Sequence, residues 1–452
     1  MISSTIKFSQ LEDRLDAEYY KPGYLELEKV LENSHCLSDV VEISKNKIDP
    51  TENPNQEFCY LEIDNVNLFT GQVEKQKLLG RNAPSRARKK VKLNDCIIST
   101  VRPNRNAVGF IDNELENCIC STGFAVLRSK EILSGYLFAL LKSKIVINQL
   151  VRLTSAAMYP AVSEEEIANI KIPIPSQSFQ KEIEKMIKES QRKRKLADEK
   201  YKEAEEILNE KLGLNDLDLS VQNTPKNKLC FPTGQAFETK FSEMEDRFDP
   251  EYYKPVFKKI EKLLKKQKVI SLGNISSEIK YGTSEDLFYT EKGTPFLRVT
   301  DINKFSNIES KEGKFISNFD AERLKEYQVK KDDIIISRTG TLGFAVYINE
   351  KLDGAIYGSY FIKVKPQHKD LSNKFIAFFI SSKIGKLQTS RWASGGIQTN
   401  LTIDAIKSIQ IPILPKPTQQ KISLLIQESM KLRREAKELI DRAKREVEAM
   451  VE

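Results

Sequence analysis

Histidine is almost missing from this chain. His35 and His368 are the only two in 452 residues, which leaves little room for imidazole acid–base chemistry or for a histidine-bearing zinc site. The six cysteines, Cys36, Cys59, Cys96, Cys118, Cys120 and Cys230, nowhere take CxxC spacing. Cys118 and Cys120 form a lone CxC, which on a strand puts both thiols on one face. Reduced, buried cysteines and no metal are the expectation. No run approaches the roughly 20 apolar residues that span a bilayer. Residues 1–14 lack the apolar centre of a signal peptide, so a soluble, cytoplasmic protein is expected.

The motifs of common catalysis are missing as well. There is no GxxxxGK[ST] loop for nucleotide phosphates and no HExxH for zinc. Nor is there an Asn/Asp-Pro-Pro-aromatic motif of the kind amino-methyltransferases use. Gly340-Thr341-Leu342-Gly343 and Gly395-Gly396 lack the strand–GxGxxG–helix context of a dinucleotide site. Binding is favoured over catalysis, and no cofactor is expected in this chain.

What is present is a duplication. Phe8 to Asp16 returns as Phe241 to Asp249, and Glu18-Tyr19-Tyr20-Lys21-Pro22 returns as Glu251-Tyr252-Tyr253-Lys254-Pro255. Leu61 to Asn67 is echoed by Leu297 to Asn303, and Val91-Lys92 through Asp95 to Ser99 by Val329-Lys330 through Asp333 to Ser337. Ile172-Pro173-Ile174 matches Ile411-Pro412-Ile413. Repeats of this kind organise a whole chain, so residues 1–174 and 241–414 read as two similar mixed α/β domains of the α+β class. In each, a short amphipathic helix (Leu25 to Leu31, Phe257 to Leu264) precedes β-type runs such as Asp95 to Ser99 and Tyr360 to Val364. One longer helix follows, over Leu133 to Val151 or Asn373 to Leu387.

Each domain leads into a heptad-like seam. Ile183, Ile187, Ser190, Arg194, Ala197, Tyr201, Ala204 and Leu208 step by four and three. Ile422, Ile426, Ser429, Arg433, Ala436, Ile440, Ala443 and Val447 repeat that stepping. Such a seam marks a paired helix. Residues 175–213 and 415–452 are therefore predicted as two long helices, pairing as an antiparallel coiled coil with internal pseudo-twofold symmetry and a domain at either end. Gly213 is placed to cap the first, and residues 214–240 form a linker.

Lys and Arg total 72 against 64 Asp and Glu, a net charge of +8, too mild to name a nucleic-acid partner by itself. Its placement says more. Basic residues sit among turn-formers at Lys45, Lys47, Arg81, Arg86, Arg88 and Lys89, then at Arg102 and Arg105. Matching regions of the second copy hold Lys280, Tyr281 and Thr283, then Arg338 and Thr341, and near its end Arg391, Gln398 and Asn400. Arg, Asn and Gln make bidentate contacts with base edges, while Lys and backbone amides hold phosphates. Trp392, the only tryptophan, fits a core role and a contact role equally well.

With these features assembled, the chain resembles the DNA-specificity (S) subunits of type I restriction–modification systems over essentially its whole length. The resemblance is carried by the duplicated Asp-x-Glu-Tyr-Tyr-Lys-Pro segments (Asp16 to Pro22, Asp249 to Pro255) and the doubled Ile-Pro-Ile-to-helix transitions. Ser337 to Gly343 and Gln398-Thr399-Asn400-Leu401 add to it. Gln180 and Gln419-Gln420 stand where the family often has Pro-x-x-Glu-Gln, without the Glu. Val101-Arg102-Pro103-Asn104-Arg105 departs from the Thr339-Gly340-Thr341 of the second copy.

The resemblance implies that each domain is a target-recognition domain reading one half of a bipartite, asymmetric site in double-stranded DNA. It implies that the helices set the gap and dock two methyltransferase subunits. Those partners would bind S-adenosylmethionine and methylate adenine, a restriction–translocase subunit could join, and this chain would be non-catalytic. A type IIB-like specificity subunit and a two-domain protein scaffold are the alternative readings.

Overall fold

The computed structural model describes residues 6, 11, 15–154, 159–214, 238–244, 248–302, 305, 308, 314–393 and 400–451. Gln398 and most of the 214–240 linker lie outside them. Contacts divide the chain into two units, Met1–Leu196 with Leu432–Glu452, and Ala197–Lys431. The divisions fall inside both long helices, so each unit holds one globular domain with half of each helix.

In the first unit one sheet has the order Val41–Ile43, Phe124–Ser129, Cys96–Ser99, Val108–Phe110, with every neighbour antiparallel. The second unit repeats that order as Ser276–Tyr281, Phe361–Pro366, Ile334–Ser337, Ala345–Tyr347. A second sheet in the first unit runs Val73–Leu79, Glu57–Val66, Ile119–Ser121, Ala87–Lys90, and its middle pair is parallel. Its counterpart runs Lys314–Ile316, Thr294–Leu297, Ile356–Tyr357, again with the last pair parallel. Where the fourth strand would stand, the second unit has, among the described residues, only the bridge Gln328↔Ile356.

The repeated sequence blocks mark positions where the backbone is demanding. The Val-Lys-x-x-Asp blocks form one turn. Asp95 accepts from the Lys92 amide and Asp333 from the Lys330 amide, each at 2.8 Å. Asn94 and Asp332 take left-handed φ of 66° and 74°, a conformation that short polar side chains tolerate. Asp95, 1% exposed, also accepts from Arg128 Nε and Nη2 at 3.0 and 2.9 Å. In Asp333 the main effect is burial, which raises its pKa.

The Tyr-Tyr-Lys-Pro blocks are clamps. Arg152 donates to the Tyr19 carbonyl at 3.0 Å, lies 4.1 Å over its ring and pairs with Glu28 at 3.1 Å. Arg391 does the same to Tyr252, at 3.2 Å and 4.1 Å, and pairs with Glu261. The proline that ends each block opens a helix, Pro22–Val30 or Pro255–Leu264, the position where its missing N–H costs nothing.

One expectation is corrected in both copies. The single helix expected over Leu133 to Val151 is two, Ser134–Leu141 and Lys144–Leu153. That over Asn373 to Leu387 is Asn373–Ser381 and Lys383–Trp392. Ser143 and Ser382 break them, each donating its hydroxyl to the carbonyl three residues back at 2.6 Å while its own backbone is extended. A serine that bonds its own backbone ends a helix, and Ser382 also caps the next one by accepting from the Gly385 amide.

The long helices are Gln177–Leu212 and Lys416–Glu448. In the first unit Ile183 and Ile187 share a core with Ile440, Ala443 and Val447. In the second, Ala204 and Leu208 share one with Ile422 and Ile426, and Tyr201 packs against it. Early residues of one helix thus meet late residues of the other within each unit, so the paired halves run antiparallel. Ala197 and Ala436 are also fully buried. Ser190 donates to the Ala436 carbonyl at 2.8 Å and Ser429 to the Ala197 carbonyl at 2.7 Å. Gly213, at φ 69°, closes the first helix as a left-handed cap. No described helix is long and apolar enough to cross a membrane.

Candidate nucleic-acid interface

The loop leaving the strand that ends at Ser99 or Ser337 is where the two domains compare most directly. Arg102 has φ 51° and Asn106 φ 53°; Gly340 and Gly343 both have φ 74°. The Ser99 amide reaches the Ala107 carbonyl and the Ser337 amide the Phe344 carbonyl, each at 2.9 Å. The two loops are therefore one turn with two left-handed positions, and the first copy carries one extra residue, folded into a 3-10 turn over Pro103–Arg105. The sequence departure at Val101 to Arg105 is a change of side chains on a shared turn. In the first copy the left-handed residues are an exposed arginine and an asparagine that turns its amide inward to the Lys142 carbonyl at 2.9 Å, so the Arg102 side chain projects where the second copy has only glycine backbone. A non-glycine residue held left-handed stores strain that often marks a working site.

The segments around this turn are tied edge to edge. Thr100 donates its amide to Gly123 at 2.8 Å and accepts from Val162 at 2.8 Å, and Arg102 donates to Pro160 at 2.7 Å. The Thr122 amide reaches the Arg86 carbonyl at 2.8 Å, and the Lys47↔Lys89 bridge adds residues 45–47 to the strip. In the second unit the Arg338 amide donates to Tyr360 at 2.9 Å and its carbonyl accepts from Leu401 at 2.9 Å. Thr339 bridges to Asn400 and Thr283 to Gly358.

On these parallel frames the side chains differ. In the first unit Lys45, Lys47, Arg86, Arg102 and Arg105 are exposed, and none has a carboxylate partner among the described residues. Others are engaged. Lys89 pairs with Glu164 at 2.5 Å and donates to the Phe124 carbonyl, Arg88 pairs with Asp49 at 3.3 Å, and Arg81 reaches Asn55 at 3.4 Å. In the second unit the structure brings Tyr281, Thr283, Arg338 and Asn400 together. The Arg338 guanidinium lies 4.6 Å over the Tyr281 ring and reaches the Ser359 carbonyl at 3.4 Å; its Nε is buried with no hydrogen-bond partner. The Ser359 amide donates to the Thr283 carbonyl at 2.6 Å, and the Thr339 hydroxyl to Asn400 Oδ1 at 2.6 Å. Thr341 is exposed, and its carbonyl accepts from the Ser337 hydroxyl.

Two residues singled out in the sequence have other work. Arg391 holds Tyr252 and Glu261, as described above. Lys280 donates to Glu326 at 2.6 Å, a hydrogen bond that raises its pKa, and lies 4.8 Å from the Tyr327 ring. Trp392, half-buried, packs on Tyr252 with ring centroids 5.2 Å apart and against the core of the second unit. Sequence reasoning overlooked Thr100, the counterpart of Arg338, and Tyr360, 58% exposed beside the second turn. Superimposing the two copies at Ser99 and Ser337 would have revealed the first.

No cluster of three or more His, Cys, Asp or Glu able to hold a metal exists among the described residues. Cys118 and Cys120 do lie in one core, and burial pushes both thiols up to about 12. That makes them inert fillers rather than nucleophiles.

The type I restriction modification DNA specificity domain matches this chain twice, over residues 32–206 and 263–439. The chain belongs to that family. Each match takes in one globular domain from the end of its first helix onward and most of the long helix that follows it. The HindI specificity subunit of a type I restriction enzyme from Haemophilus influenzae is 26% identical over 133 residues. That alignment spans 28% of this chain and 26% of the relative, about a quarter of its length. Among solved structures, the HsdS subunit from Thermoanaerobacter tengcongensis is similar at 21% identity and TM-score 0.33, covering 91% of this chain and 96% of that one. The type I S subunit from M. genitalium is similar at 14% identity and TM-score 0.44, covering 92% and 94%.

Proposed function

We propose that this specificity-family chain is the DNA-recognition subunit of a type I restriction–modification complex. Residues 1–174 and 241–414 act as its recognition domains, each reading one half of a bipartite, asymmetric site. The long helices set the gap and dock methyltransferase subunits, which bring S-adenosylmethionine and methylate adenine; this chain does no chemistry of its own.

The observation that carries the reading is the shared turn after Ser99 and Ser337, one backbone frame carrying unlike side chains. Arginine recognises guanine edges and phosphates in a fork, and a tyrosine-braced guanidinium is already partly ordered for that task. Exposed Arg102 and Arg105 offer one pattern, and Arg338 with Thr339 and Asn400 another. Two different readers on equivalent frames suit two different half-sites.

Selection from random duplex DNA tests this, using the chain assembled with the methyltransferase encoded beside it. Enrichment of two unlike short motifs at a fixed gap is expected. Enrichment of one continuous motif, or of none, overturns the reading.

A further inference from the structure

The second unit contains a hollow of about 190 Å³ for which the first has a plug. Its walls include the rings of Tyr201, Phe305, Tyr347 and Phe378, together with Met430. Tyr201 meets Phe305 and Phe378 edge-on, with centroids 5.2 and 5.8 Å apart. Into this apolar lining projects one polar group without a mate. Ser423 is 9% exposed, lines the hollow, and its hydroxyl is buried with no hydrogen-bond partner.

Comparison of the copies shows why the space exists. Leu133 and Ser372 each donate an amide to the long-helix glutamine, Gln180 or Gln419, and Ser143 and Ser382 make matching breaks. That register places Ala377 where the first unit has Phe138, and Ser381 where it has Lys142. Phe138 is 1% exposed and stacks edge-on against Phe110 at 5.8 Å. Phe110 and Tyr347 are themselves counterparts, facing Cys96 and Ile334 across equivalent strand pairs. At this position a ring has been replaced by a methyl group, and Phe378, in the place of Ala139, lines the space that remains.

An orphaned buried hydroxyl costs free energy until something bonds it, and an apolar cavity of about 150 Å³ is enough to hold a benzene ring. We propose that this cavity binds a small single-ring aromatic molecule bearing one hydrogen-bonding group, with the ring in the place Phe138 fills in the first unit and the polar group on Ser423. Gln427, one helical turn beyond Ser423, also lines the cavity and offers a second polar partner. The site is independent of DNA reading, so it stands whichever sequence the chain recognises.

Fluorine NMR titration of the full chain with 4-fluorophenol, and with fluorobenzene for comparison, tests the proposal. Saturable binding of 4-fluorophenol is expected. Ala377→Phe should abolish it, and Ser423→Ala should weaken it roughly two- to tenfold while leaving fluorobenzene unchanged. Ala377→Leu is the milder plug if the phenylalanine variant does not fold, and binding must fall there too. No saturable binding to the unaltered chain overturns the proposal, as does undiminished binding to a folded, plugged variant. Loss of binding when the methyltransferase partner is added also overturns it, because the natural occupant is then a partner side chain.

Discussion

Ser190 gives its hydroxyl hydrogen to the carbonyl oxygen of Ala436 across 2.8 Å, from the middle of one long helix to the other. Both residues are fully buried. The Ser429 to Ala197 bond repeats it in the second unit, and this explains why the seam keeps a serine where an apolar residue would pack more simply. A small side chain lets the helices approach, and its hydroxyl finds a backbone acceptor at that distance.

Ser190→Ala should cost about 1 kcal/mol, since it removes the donor while the Ala436 carbonyl remains inside a helix. Ser429→Ala should cost a similar amount. Ser190→Leu should cost more, because the added bulk must push the helices apart. Urea unfolding of the three variants checks the order; a leucine variant as stable as the original would contradict this packing.

Arg391→Gln should lower stability by about 1–3 kcal/mol, the usual cost of breaking a part-buried bond to a charged group. It should leave the salt dependence of DNA binding by the assembled complex unchanged. An arginine on phosphate would instead reduce the slope of log K against log salt by about one. A flatter slope with unaltered stability would place Arg391 on DNA after all.

Lys142 supplies a pH prediction. Its side chain is buried, with Nζ donating to the Leu68 and Asn106 carbonyls at 2.9 and 3.3 Å. Burial, with Lys444 and Arg194 nearby, brings its pKa down from 10.5 to about 7, against a smaller opposing effect of Asp441. Between those two values the unfolded chain holds a proton that the folded chain has released, so this group makes stability rise with pH across that window. Lys142→Met removes the effect. Urea unfolding at pH 7.5 and 9.5 should show the original chain gaining on the variant at the higher pH. An unchanged difference would mean that the amine stays charged in the fold.

The duplication and the helix seam could be read from residues alone because both rest on local rules. A left-handed turn favours Asn, Asp or Gly, a clamp needs its Tyr-Tyr-Lys-Pro, and a seam needs its spacing of four and three. Sheet order was hidden, since it depends on pairings such as Cys96 with Leu127 that lie far apart in sequence. Ser143 and Ser382 looked helical because a serine that breaks a helix has the same composition signal as one that rides on it. Arg391 looked available for DNA because its partner Tyr252 stands 139 residues away. The equivalence of Arg102 with Gly340 was invisible for a different reason. It is an identity of backbone angle, and arginine gives no hint that it will adopt one.

The central claim is that each domain reads its own half of the site. Mapping of methylated adenines in cells that co-express the methyltransferase with the original chain, Arg102→Ala or Arg338→Ala tests it most directly. The account predicts a split motif for the original chain. Arg102→Ala should relax or alter one half and Arg338→Ala the other, with the gap unchanged in both. A continuous motif, or a single substitution that alters both halves, would contradict it.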